Sequence, residues 1–207
     1  MVCGIALHTT SPELGIAISN FRDQTRFQTW EIGLDLSTKL HHYLLDFLAP
    51  QTWQDLDFLA AAKGPGSFTS SRIGLVTART LAQQLNIPIF AISTLKTAAW
   101  SDYCSNSHDD HLIAVEMEAR RNQLFVGIYQ PLAENQGLRT NLEDQAMTGE
   151  NWQQVLEKLT LPYRLIKLTN NLGENVVDLL DLAYLDWQQE KRPSWQEALP
   201  FYGQNPC

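Results

Sequence analysis

Apolar and polar positions along the chain alternate between two periods. Residues 2–10, VCGIALHTT, and 15–19, GIAIS, are short apolar runs of β-type residues joined by SPEL, and a third run, RFQTWEI, follows a polar turn. The pattern predicts a meander of three strands. The period then lengthens: Leu36, Leu40, Tyr43, Leu44, Phe47 and Leu48 mark one face of an amphipathic helix over 36–49, which Pro50 ends. LDFLAAAKG reads as a buried strand, followed by a helix over 68–86, a second buried strand in IPIFAIS and a helix from about Leu95.

DDHLIAVEMEARRNQLFVGIY predicts a hairpin, with strands near 112–118 and 123–129, that opens a second, shorter sheet-and-helix unit. Beyond it, 131–148 is poorly patterned. A helix near 150–159, a strand in YRLIKL and a helix over 174–190 follow, the last with Val176, Leu179, Leu180, Ala183 and Trp187 inward. The tail SWQEALPFYGQNPC has apolar residues without a period and is expected to form an extended strap or to be partly mobile. Polar CSNSHDD sets the expected lobe boundary, giving 1–106 and 107–207. The fold class is α/β.

Composition narrows the function. Hydrophobic residues make up 44% of the 207, enough for a sizeable core. Lys and Arg number 15 against 23 Asp and Glu, so a net charge of -8 gives the chain no general attraction for nucleic acid or anionic lipid. No apolar run reaches the 18 or so residues of a membrane span, and the N-terminus lacks a signal-peptide pattern, so a cytoplasmic protein with no membrane contact is expected. Cys3, Cys104 and Cys207 are odd in number and far apart, which fits reduced thiols.

The densest motif is GPGSFTSSRIGLVTAR, residues 64–79. Gly64, Pro65 and Gly66 form a tight turn, Phe68 follows, and Ser67, Thr69, Ser70 or Ser71 is placed to cap the helix. A nucleotide P-loop needs a lysine after its last glycine, and none occurs between Gly64 and Arg72. A serine-nucleophile elbow needs a glycine where Thr69 stands. A helix N-terminus with Arg72 beside it leaves a small-anion site open. Along the helix, Gly74, Ala78 and Ala82 recur every four residues beside Ser71, Leu75, Leu81 and Leu85, a stripe suited to close approach either of the chain's own sheet or of a partner helix.

Other constellations carry less. HDDH, residues 108–111, has no second cluster to complete a tetrahedral metal site. His41 and His42 point about 100° apart on a helix and cannot chelate one ion. Glu116 and Glu118 share a strand face, a spacing compatible with acid–base work, but Arg120 and Arg121 follow and favour structural ion pairing.

GPGSFTSSRIGLVTARTLA with IPIFAISTL, together with ALHTTS, the helix before Pro50 and VEMEARRNQLFVGIY, resembles the TsaB (YeaZ) family of the tRNA threonylcarbamoyladenosine machinery. The resemblance covers about the first 130 residues well. It implies two ribonuclease-H-like lobes of the actin and hexokinase superfold, and a non-catalytic scaffold for the transferase TsaD, with the ATPase TsaE as a further partner. It also implies self-pairing when the chain is alone, contact with tRNA only through the complex, no cofactor in the isolated chain, and nucleotide only at a joint interface. The implied docking residues are Leu36, Leu40 and Tyr43 on one helix and Ser71, Gly74, Leu75, Ala78, Leu81 and Ala82 on the other. Two departures stand out. His8 occupies the first-strand position where the family usually has aspartate, and the tail keeps Pro200 and Tyr202 without a basic end. An ATP-dependent phosphotransferase of the same superfold, the enzymatic alternative, needs the Mg²⁺ carboxylate that His8 does not supply.

Overall fold

The computed structural model describes residues 2–106, 111–133, 136–169 and 171–203. They form two compact units, one of Met1–Thr94 with Asn170–Phe201 and one built on Leu95–Thr169. In the first, β1 (Gly4–His8), β2 (Glu13–Ser19) and β3 (Thr25–Glu31) make the expected antiparallel meander. The chain crosses over through α1 (Leu36–Leu48) to β4 (Phe58–Ala62), parallel to β1, and through α2 (Phe68–Leu85) to β5 (Ile89–Ile92), parallel to β4. The resulting order, β3-β2-β1-β4-β5, is that of a ribonuclease-H-like sheet.

Strand alternation divides the side chains between the two faces of this sheet. Ile5, Leu7, Ile16, Leu59 and Ala61 pack with Leu40 and Leu44 of α1 and with Leu75, Ala78 and Ala82 of α2, all buried. Helix α1 ends where Ala49 turns extended before Pro50. The opposite face is covered by α5 (Val176–Gln188), which packs on β1, β2 and β4 through its buried Val176, Leu179, Leu180 and Ala183. Here the structure departs from the expected division at residue 106. The stripe on α5 was correctly inward, but the sheet it covers is the first one, so the first unit is discontinuous in sequence.

The tail is a strap over 193–201. Its Pro193 carbonyl accepts from Ile89 N, the amide of Phe201 donates to Lys63 O, and Ala198 is buried in the first core. Trp195 packs on the same core beneath the Arg79 guanidinium, 5.2 Å from the ring centroid.

The second unit contains α3 (Thr94–Ser105) and a four-stranded sheet, β8-β7-β6-β9, from β6 (Leu112–Glu118), β7 (Gln123–Pro131), β8 (Leu138–Thr148) and β9 (Tyr163–Leu168). Its order repeats that of the first four strands of the other sheet, so the molecule has the two ribonuclease-H-like lobes of the actin and hexokinase superfold. Helix α4 (Gly149–Glu157) buries Trp152 and Leu156 against Leu112, Ala114, Val126 and Ile128. Strand β8 lies in the segment that lacks a clear sequence pattern. It is an edge strand with register shifts against β7; its burial alternates, but polar Thr140 and Asp144 take half-buried positions, so the sequence shows no apolar period. No described helix is long and apolar enough to cross a membrane.

Candidate partner-binding face

The loop that opens the sequence motif is a close-packed launch for α2. Gly66 has φ of +154°, and a Cβ there would lie 2.3 Å from the carbonyl oxygen of Thr10, so only glycine fits. Ser67 N donates to that same carbonyl, and Gly64 O accepts from Thr94 N. Contrary to the capping expectation, Ser67 at the N-cap makes no side-chain cap bond. Its hydroxyl donates to Ser70 Oγ, and the Ser71 hydroxyl donates back to Ser67 O. Phe68 and Thr69 begin the helix on its exposed side, and the Arg72 guanidinium lies 3.6 Å from the Phe68 ring centroid.

The small-residue stripe of α2 faces its own sheet. A Cβ on Gly74 would stand 2.1 Å from Thr9 Oγ1, whose hydroxyl donates to Ser70 O. Ser71, Gly74, Leu75, Ala78 and Ala82 are buried by this contact, and Leu36 and Leu40 by the same core. The expectation that these seven residues meet a partner is therefore corrected: the stripe permits helix-on-sheet approach, and its side chains have no surface left to offer. Tyr43 is half-buried with its ring 4.7 Å from that of Trp30, and Leu81 is half-buried at the surface.

A different part of the same two helices is open. Between α1 and α2 runs a groove of about 460 Å³, with His41, Leu44 and Leu45 on one wall and Val76, Thr77, Thr80 and Leu81 on the other. Trp53, from a single turn of 3₁₀ helix before β4, also lines it. Leu45 and Val76 are 56% and 54% exposed, large apolar side chains that the chain's own fold leaves in water. Sequence reading followed the strongest stripe on each helix, which is the core stripe, and so missed Leu45; Val76 lies with Arg72 and Arg79 on the face opposite the small-residue stripe, where the sequence places an interface if that stripe packs on its own sheet. The signal was present in the apolar residues standing off that stripe.

The end of β1 does not fit a metal–nucleotide site. His8 is fully buried, and neither ring nitrogen has a hydrogen-bond partner, in contrast to the hydrogen-bonded histidine that a strand end suggests. Burial lowers its pKa from 6.5 to about 4, so it is neutral at physiological pH and presents no oxygen to a hard cation. In the second unit, Glu116 accepts from Trp152 Nε1 at 2.7 Å and pairs with Lys167 at 3.0 Å. The carboxylate is committed to holding α4 and β9 to β6, a structural role whose partners come from further along the chain than Arg120 and Arg121. Of HDDH, only His111 is among the described residues. Cys3 and Cys104 form no disulfide, and Cys207 lies outside the described residues.

A family model described as TsaD, tRNA N6-adenosine threonylcarbamoyltransferase, matches residues 48–191. The tRNA threonylcarbamoyladenosine biosynthesis protein TsaB of Bacillus subtilis is 33% identical over 181 residues, which is 84% of this chain and 74% of that protein. This chain belongs to the TsaB family. The TsaB fold is seen directly in the solved structure of YeaZ from Pseudomonas aeruginosa, which superposes with a TM-score of 0.79 at 24% identity over 98% of this chain and 100% of that one. A tRNA N6-adenosine threonylcarbamoyltransferase of Geotalea uraniireducens is 26% identical over 113 residues, 53% of this chain and 31% of that enzyme. This chain thus has recognisable sequence similarity to one such transferase as well as a match to the TsaD family model.

Proposed function

We propose that this chain acts in tRNA threonylcarbamoyladenosine biosynthesis as a non-catalytic subunit, docking through the α1–α2 groove onto the threonylcarbamoyltransferase. The observation that carries the reading is the pair Leu45 and Val76, exposed beside an apolar groove on a TsaB-family chain. His8 supports the non-catalytic part, because a buried neutral imidazole stands where an active relative needs a carboxylate. On this reading the chain works in the cytoplasm and meets tRNA only through the complex, as its net charge of -8 favours. It brings no cofactor of its own, and nucleotide is held only at the joint interface. A TsaE-type ATPase is the further partner, and the same face pairs two copies when the transferase is absent.

The test is a Leu45→Glu, Val76→Glu chain mixed with the transferase subunit and followed by light scattering and calorimetry. Two carboxylates in a desolvated apolar contact should weaken association at least thirtyfold, about 2 kcal/mol, while the melting temperature changes little because both side chains are exposed in the free chain. Undiminished binding would rule out the groove as the docking face.

A further inference from the structure

We propose that β3 is a self-pairing edge, through which two copies of this chain join their first sheets by an antiparallel β3–β3 contact on a two-fold axis at Gln28. No residue of β3 lines the α1–α2 groove, so this contact is independent of the groove reading. Strand β3 ends the first sheet, and its pairing with β2 fixes which of its backbone groups are left over. The Asn20 amide donates to Gln24 O at 3.0 Å, so the alternation of an antiparallel ladder directs Arg26, Gln28 and Trp30 toward β2. The N–H and C=O groups of Thr25, Phe27, Thr29 and Glu31 then point outward, and no described residue bonds to them.

Folded proteins guard such edges with proline, lysine, a bulge or a cover. The opposite edge of this sheet has a cover, since Ile89 of β5 donates to Pro193 of the strap. The seven residues of β3, TRFQTWE, include neither Pro nor Lys, and their register with β2 runs without a shift from Glu13 opposite Glu31 to Ser19 opposite Thr25. Phe27 adds an apolar ring that is 54% exposed. It lies on the sheet face opposite Trp30, whose ring packs against Tyr43 and Phe47 of α1.

The occupant is a second copy because the strand complements itself. With Gln28 opposite Gln28, Thr25 faces Glu31, Arg26 faces Trp30 and Phe27 faces Thr29. All four outward residues of each copy then fall at hydrogen-bonded positions, giving about eight backbone bonds. A two-fold axis sets the residues near it against their own images, and like charges directly opposite oppose pairing. Phe27, Gln28 and Thr29 at the axis are neutral, and neither Arg26 nor Glu31 meets a like charge directly across. Phe27 closes over Thr29 of the second copy and reaches its Phe27 diagonally. Two strands of this length bury less than about 1,000 Å² in total, short of a permanent dimer, so the contact is transient, with a dissociation constant of about 100 µM. A net charge of -8 on each copy makes added salt strengthen it.

The experiment uses the full chain carrying Leu45→Glu and Val76→Glu, which removes pairing through the groove. Sedimentation and backbone amide exchange by NMR are followed from about 10 µM to about 500 µM protein at moderate salt. The expected result is a monomer that becomes mostly dimer, with the amides of Thr25, Phe27, Thr29 and Glu31 exchanging about threefold more slowly at the upper concentration. Those of Arg26, Gln28 and Trp30, already bonded to β2, should change little. Adding Phe27→Lys should abolish the dimer without lowering the melting temperature, because the ring is exposed, whereas Leu161→Lys, at an exposed position in the second unit, should leave it intact. A monomer throughout, a dimer that Phe27→Lys leaves unchanged, or a dimer whose four outward amides exchange as before overturns the proposal. Slowing of those amides only when the transferase subunit is added also overturns it, by giving the edge to a different occupant.

Discussion

His8 shows how one side chain can carry both a functional and a thermodynamic consequence. Its two nitrogens are unpartnered in the buried end of β1, an arrangement tolerable only for the neutral ring. Folded His8 protonates near pH 4, whereas in the unfolded chain it does so near 6.5. The unfolded state therefore binds more protons in between, so the stability held above pH 6.5 is lost as pH falls toward 4, by up to about 3 kcal/mol. Urea denaturation at pH 7.5 and pH 4.5 measures this, and His8→Leu should flatten the difference between the two. An equal acid loss in His8→Leu would assign the effect to other groups. Gly74 teaches the complementary lesson about what a sequence reveals. Its recurrence with Ala78 and Ala82 announced close approach, but the same spacing serves a sheet or a helix, and only the position of Thr9, 65 residues earlier, decides between them.

Among the elements, α1 is fastened from outside itself. Its last turn has no basic residue, and Arg26 of β3 takes that place, donating to Leu48 O at 3.2 Å and Gln51 Oε1 at 2.8 Å with its guanidinium 4.9 Å from the Phe47 centroid. Arg26→Ala should cost about 1 kcal/mol, seen as a melting temperature lower by a few degrees, whereas Arg22→Ala in the exposed turn before β3 should cost little. Equal effects would mean that Arg26 acts only as surface charge. Because α1 forms one wall of the groove, its loosening would reach the groove too. Helices α1 and α2 were legible to within a residue or two, since their core stripes are long and their ends are marked by Pro50, Gly66 and Asn86. Strand β8 was not, because polar Thr140 and Asp144 stand at its half-buried positions, so hydrophobicity does not follow the alternation of burial, and register shifts interrupt its pairing. The groove between α1 and α2 was not legible, because the strongest stripe of each helix is the one buried in the core.

For the molecule as a whole, the least legible feature was the return of α5 to the first sheet. A stripe of Val176, Leu179, Leu180 and Ala183 says that a helix is covered, not by which sheet, and a boundary in a polar loop assigns everything after it to the second lobe by default. A fragment of residues 1–106 should consequently be aggregation-prone and rapidly proteolysed, because one face of β1, β2 and β4 is bare without α5. A soluble, cooperatively melting 1–106 fragment would show that the first lobe does not need that helix. The same topology orders events on the ribosome. Synthesis delivers all five strands of the first sheet, then the continuous stretch 95–169, and only after it the helix and strap that complete the earlier sheet. The lobe begun first is thus completed after the second has emerged, and the nascent chain's demand for a holding chaperone lasts until α5 and the strap are out.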